Sequence, residues 1–106
     1  CSNTLDPSFP DGCDLEIFRF SALEQAYQNA NLISEKEHVT PYIWKNSSFF
    51  GGTYFKSANY YHTKDYSVYR LTVDELVDFE LISKLVERIG YHAGWIEYVK
   101  ILQNTI

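Results

Sequence analysis

Polar and apolar residues alternate through Asp14-Leu15-Glu16-Ile17-Phe18-Arg19-Phe20, the period of a half-buried strand. Leu15 and Ile17, with Phe18 beside them, would face a core, and Asp14, Glu16 and Arg19 would not. Ser21-Ala22-Leu23-Glu24 then reads as a capping box, in which the Ser oxygen and the Glu carboxylate each satisfy an orphan amide. It predicts a helix through Leu23, Ala26 and Tyr27 to about Ala30. Ser34-Glu35-Lys36-Glu37 is a second such box opening a short helical turn. Pro41 would break that helix from inside, so Thr40 as N-cap and Pro41 as first residue predict a separate helix to Lys45.

Gly51-Gly52 turns the chain into the β-rich Thr53-Tyr54-Phe55-Lys56, residues 59–65 form a polar and aromatic loop, and Ser67 to Val73 returns as a strand. Asp6-Pro7-Ser8-Phe9-Pro10-Asp11-Gly12 is a loop on its prolines and its Asp-Gly pair. From Glu75 to Ile89 the apolar residues Leu76, Phe79, Ile82, Leu85, Val86 and Ile89 recur at helical spacing, with Gly90 as the C′ residue. A last helix, from about Trp95 to Gln103, puts Val99 and Leu102 on one face. Mixed α and β elements, with no repeat and no dividing linker, predict one α/β domain over residues 1–106.

Composition narrows the function classes. A net charge of -5 with nine scattered Lys and Arg speaks against a nucleic-acid partner, which needs clustered cations. No apolar run approaches the roughly 20 residues of a membrane span, and no signal peptide is visible, so the expected setting is cytoplasmic. Cys1 and Cys13 are read as free thiols rather than as a disulfide framework. His62 and His92 have no metal-ligand spacing with either cysteine.

Candidate chemistry concentrates in Leu71-Thr72-Val73-Asp74-Glu75-Leu76-Val77-Asp78-Phe79-Glu80, where a strand ends on an acidic residue and a helix follows directly. In open α/β sheets ligands bind at the carboxyl ends of strands, and a carboxylate there suits a hard cation such as Mg²⁺. The alternative is that Asp74 and Asp78 cap and charge a helix start. Asp14 and Glu16, two apart on a strand, would share a face that meets a ligand's polar groups or only solvent. Gly12 would let a backbone approach a ligand closely or simply complete a turn. His38 is either a substrate contact or a structural histidine. Arg70 could grip a carboxylate bidentately or form a salt bridge at a strand edge. Tyr60, Tyr61 and Trp95 read as packing aromatics or a dimer surface, and Cys13 has no neighbouring base in sequence to make it a nucleophile.

Three blocks, in order, resemble one family. They are Pro10-Asp11-Gly12-Cys13-Asp14-Leu15-Glu16-Ile17-Phe18, Glu37-His38-Val39-Thr40-Pro41-Tyr42-Ile43, and Tyr69-Arg70-Leu71-Thr72-Val73-Asp74-Glu75 through Asp78. Together with Ser2-Asn3-Thr4 they are similar to the C-terminal half of the spore-coat-polysaccharide-type cytidylyltransferases, relatives of the enzymes that attach CMP to Kdo and sialic acids. Leu76 stands where that family carries Pro, and Leu71 where it carries Trp.

The resemblance implies the C-terminal part of a Rossmann-like, three-layer nucleotidyltransferase fold, with CTP and a sugar as substrates and Mg²⁺ as the ion. Asp74 matches a position that helps hold Mg²⁺ in the Kdo-activating relatives, while Gly12, Asp14, Glu16, His38 and Arg70 would shape the sugar pocket. The nucleotide loop and the second metal-binding Asp of the family lie in its N-terminal half, and nothing in residues 1–106 resembles either. The expectation is therefore the sugar-binding half of a longer, homodimeric enzyme, inactive alone. The rival is a non-catalytic α/β interaction or dimerisation module, with the aromatic stretch from Tyr54 to Tyr69 as its contact surface.

Overall fold

Proline at a first helical position and glycines at positive φ mark several boundaries in the computed structural model, which describes residues 1–105. The helices are α1 (Phe20–Asn29), α2 (Ile33–Glu37), α3 (Pro41–Lys45), α4 (Leu76–Ile89) and α5 (Trp95–Thr105), with a 3₁₀ turn at Ser48–Phe50. Among the described residues no helix is long and apolar enough to cross a membrane. The residues gather into two compact units. One comprises Cys1–Pro7 and Leu15–Tyr61, the other Ser8–Asp14 and the chain from His62 onward.

The first unit holds α1, α2 and α3. The start of α1 differs from expectation: the helix begins at Phe20, Ser21 lies inside it, and the Arg19 carbonyl accepts from the Ala22 and Leu23 amides without a side-chain cap. In α2 the back-reaching carboxylate belongs to Glu35, which accepts from the amides of Asn31 (3.3 Å) and Leu32 (3.1 Å). Leu32 occupies the N-cap and its side chain has no acceptor oxygen, so Glu35 is the side chain that serves this end. The helix α3 has the predicted bounds, with Pro41 in the first turn and Pro41 and Tyr42 buried. Behind it Ser47, 2% exposed, donates to the Trp44 carbonyl at 2.7 Å.

Strands are where the structure departs most from the alternation. The segments read as strands at 14–20, 53–56 and 67–73 are joined to the rest by isolated bridges, Ser2 to Glu16, Ser47 to Phe55 and Asp11 to Arg70, and the described residues form no sheet. In the first of these segments a polar side chain takes a backbone group a ladder would use: Asn3 Oδ1 accepts the Leu15 amide at 2.8 Å. Beside the second, the Ser48 and Ser57 hydroxyls accept the amides of Ser57 and Phe49, each at 2.9 Å. Without a sheet beneath them Leu15 and Ile17 are more than half exposed, opposite to the expected inward face.

In the second unit α5 buries Val99 (1% exposed) and Leu102, the face predicted for it, and α4 buries Leu85. The rest of the α4 stripe is only partly used: Leu76 and Phe79 are well exposed, and Gly90, at φ 81°, ends the helix as expected. Phe9, His62, Tyr66 and Trp95 form an aromatic cluster with ring centroids 5.2–5.7 Å apart and edge-to-face orientations. Ser8 anchors this cluster, since its hydroxyl accepts the His62 amide and its carbonyl the Tyr66 amide, both at 2.8 Å. Trp95 and His62 are thus packing groups.

Candidate functional site

The loop 8–14 and the chain before α4 meet at a single parallel bridge. The Asp11 amide donates to the Tyr69 carbonyl (2.9 Å), and the Leu71 amide donates to the Asp11 carbonyl (2.7 Å). Gly12, at φ 106°, follows directly. A Cβ there would sit 2.9 Å from the Leu71 carbonyl carbon and oxygen and 3.0 Å from Thr72 Cγ2. The close backbone approach that makes glycine necessary is therefore to Leu71. Beside it the Thr72 hydroxyl is buried with no hydrogen-bond partner.

This bridge delivers Arg70 into three carboxylates. Its Nη1 lies 3.1 Å from Asp11 Oδ2, its Nη2 2.8 Å from Asp74 Oδ2, and its Nε and Nη2 each 3.1 Å from the two oxygens of Asp78. Asp78 Oδ2 also accepts the main-chain amides of Asp74 and Glu75, both at 3.1 Å, which ties off the start of α4. Of the two readings of the acidic pair, Asp78 thus fulfils the helix-start role. The Arg70 hydrogen bond, followed by the amide of Asp74, holds the Asp78 carboxyl down at about 2. The same hydrogen bond, with the charges of Asp78, Asp74 and Asp11, pushes the Arg70 guanidinium up.

Asp74 is the outward member of the cluster, its side chain 70% exposed against 12% for Asp78. Arg70 engages its Oδ2. Among the described residues no three His, Cys, Asp or Glu side chains are grouped to hold a metal ion. A lone accessible carboxylate is at most one of the one or two that Mg²⁺ takes beside waters and substrate phosphates.

The other expected residues lie elsewhere. Glu16 belongs to the first unit, where its Oε1 accepts the Thr40 hydroxyl at 2.8 Å. It lines an open cleft of about 530 Å³ with Arg19, Gln25, Trp44, Tyr54 and Lys56. That volume is in the range of small-molecule sites. His38 is exposed and lines a different cleft of the same unit, beside Tyr27, Glu35 and Lys36. Asp14 is exposed in the second unit, and the strand that would place it on one face with Glu16 is absent. Its charge adds to burial in pushing the Cys13 thiol up, so Cys13 is a poorer nucleophile than an ordinary thiol. Asp11, not singled out from the sequence, is a full member of the Arg70 cluster. Its signal was its place in the Pro10-Asp11-Gly12 turn.

In structure, 98% of the chain superposes on 42% of a protein from Leptospira borgpetersenii serovar Hardjo-bovis, with a TM-score of 0.81 and 27% sequence identity. That protein is a cytidylyltransferase. The likeness supports a nucleotidyltransferase fold for this chain. In sequence, 74 residues are 39% identical to an uncharacterized protein of Methanocaldococcus jannaschii, covering 70% of this chain and 29% of that protein. The chain thus spans less than a third of this curated relative and less than half of the solved cytidylyltransferase. No protein-family model matches the chain.

Proposed function

We propose that this chain is the sugar-binding part of a cytidylyltransferase of the spore-coat-polysaccharide type, related to the enzymes that make CMP-Kdo and CMP-sialic acids. The observation that carries the reading is the structural likeness to a cytidylyltransferase over 98% of the chain, with Asp74 exposed at the start of α4. The full-length enzyme transfers CMP from CTP to an acidic or related sugar for surface polysaccharide or glycoconjugate synthesis. A sugar hydroxyl oxygen bonds to the α-phosphorus, the bond to the bridging oxygen breaks, and pyrophosphate leaves as the hydroxyl proton is released. Such chemistry depends on positioning and on stabilising phosphate charge.

Within this scheme Asp74 supplies one oxygen ligand for Mg²⁺. When bound, that ion neutralises phosphate charge and aligns the reacting groups. Glu16, with Trp44, Tyr54 and the cations Arg19 and Lys56 around the same cleft, offers the mixture that an acidic sugar asks for: a carboxylate for hydroxyls, rings for the sugar face and positive charge for a carboxylate. Gly12 and Arg70 serve by holding the loop 8–14 and Asp74 in register, and Asp14 and His38 are further candidates for sugar contact. Segments of the longer protein would complete the Rossmann-like, three-layer sheet around the bridges seen here. The enzyme works in the cytoplasm, as a homodimer.

A second reading, a non-catalytic interaction or dimerisation module, draws on the exposure of Tyr54, Tyr60 and Tyr61, each more than half accessible. Pyrophosphate release from CTP by the full-length protein with candidate acidic sugars separates the two. Turnover that Asp74→Asn abolishes supports the enzyme. Turnover unchanged in that variant removes the metal assignment, and no turnover with any acidic sugar favours the module.

A further inference from the structure

Thr40 stands at the N-cap of α3, where a threonine hydroxyl ordinarily accepts a free helix amide, yet it makes no such cap. It donates instead to Glu16 Oε1 at 2.8 Å, across 24 residues of chain. The helix start loses little by this, because Pro41 brings no amide and the Thr40 carbonyl accepts the amides of Ile43 (3.0 Å) and Trp44 (3.2 Å). Thr40 is 9% exposed and β-branched, so few rotamers are open to its hydroxyl. Glu16, by contrast, is exposed, with its main chain pinned on both sides. The Asn3 amide donates to the Leu15 carbonyl (3.1 Å) and the Ile17 amide to the Cys1 carbonyl (2.8 Å).

We propose that Thr40 is a positioning residue, which holds Glu16 so that its second oxygen, Oε2, accepts hydroxyl groups of a sugar in the cleft that Glu16 lines. This rests on the reading of that cleft as the sugar site. A neutral hydroxyl occupies one oxygen and leaves the negative charge of the carboxylate unspent. Among the described residues no ion pair joins Glu16 to Arg19 or Lys56, the cations of the same cleft, and Oε2 has no partner. Asp78 shows the opposite case, since both its oxygens are taken by Arg70 and main-chain amides. A glutamate at the surface has much rotamer freedom to lose when it orders around a ligand. Here the buried threonine has already ordered it, so binding is spared that loss. The same short helix carries Ile43 and Trp44 into the cleft, so Thr40 ties the carboxylate to the wall it shares with the indole ring.

The test is steady-state turnover of the full-length protein with CTP and acidic sugars, Kdo and sialic acid first. Thr40→Val keeps the shape of the side chain and removes the donor. It should raise the KM for the sugar roughly fivefold to tenfold, with the KM for CTP as the unmoved control. Thr40→Ser keeps a hydroxyl and should restore the KM. Glu16→Ala should raise it at least as far, and adding Thr40→Val to Glu16→Ala should raise it no further. A sugar KM unchanged in Thr40→Val, or raised equally by it in the Glu16→Ala background, overturns the positioning role and leaves the cleft as the sugar site. An unchanged KM in Glu16→Ala, or no turnover with any acidic sugar, removes the reading of the cleft and the proposal with it. A measurement that needs no variant guards against a folding defect: the Glu16 carboxyl carbon resonance of the unaltered protein should shift on saturation with the sugar. A Glu16 signal that stays in place overturns the proposal.

Discussion

Gly12 and the Leu71 carbonyl are packed so closely that a Cβ on residue 12 would stand 2.9 Å from both the carbon and the oxygen of that group. The neighbour is backbone, held by the hydrogen bond between the Leu71 amide and the Asp11 carbonyl, and cannot turn aside as a side chain would. The φ of 106° adds a conformation that L residues rarely adopt. Gly12→Ala should therefore destabilise the protein by about 1–3 kcal/mol, read as a lower midpoint in urea unfolding. A loss within a few tenths of a kcal/mol would show that the loop relaxes freely.

Asp78 sets an acid limit. Its carboxyl is held at about 2, below the ordinary 3.8, mainly by the Arg70 hydrogen bond. A depressed folded-state value means that the stabilisation is fully present above the unfolded value and lost as the pH falls through the folded one. Thermal unfolding should thus show Asp78→Asn less stable than the unaltered protein at neutral pH, with the gap closing between about pH 4 and pH 2. A constant gap across that range would assign the effect to something other than ionisation.

Leu85 is the buried anchor of α4, 3% exposed, on a helix whose first turn leaves Leu76 and Phe79 in the open. Truncation there removes packed surface and leaves a cavity, so Leu85→Ala should cost about 2–5 kcal/mol. Phe79→Ala, by contrast, should fall within about 0.5 kcal/mol, the range of exposed positions. Denaturation curves of the two variants check the contrast. A large loss in Phe79→Ala would mean that its face is covered in solution.

Cys13 should react slowly. Burial first, and then the Asp14 charge, raise its thiol above 9.0, and the thiolate is the nucleophile. In a Cys1→Ser background, alkylation by iodoacetamide at pH 8 should be slower than that of free cysteine, and Asp14→Asn should speed it. A rate at or above that of free cysteine would contradict this environment.

Local signals were legible where a single residue decides a boundary. Pro41 opened α3, Gly90 closed α4, and Val99 with Leu102 marked the buried face of α5. The strands were not, because alternation at 14–20 tells only that a segment is extended, and a sheet needs partners. Here the Asn3 side chain takes the Leu15 amide that a partner would have used. The capping boxes failed for a related reason: the Ser-x-x-Glu spacing was present, but Ser21 fell inside a helix that Arg19 opens, and Glu35 rather than Glu37 reached back.

For the candidate site, the order of acidic residues along Asp74 to Asp78 was enough to mark a charged helix start, since side chains three and four apart lie on one face at a helix start. What the chain order alone left undecided was which role each oxygen plays. Asp11 is 59 residues from Arg70, yet it bonds to it at 3.1 Å. That contact exists only because the Asp11–Arg70 bridge closes and Gly12 permits the approach to Leu71. The sequence by itself determined the composition of the site: its carboxylates, its arginine and its glycine. Tertiary structure decided the division of labour, turning Asp78 into a tie for amides and guanidinium and leaving Asp74 outward, because hydrogen-bond geometry across distant segments is set by folding and not by spacing.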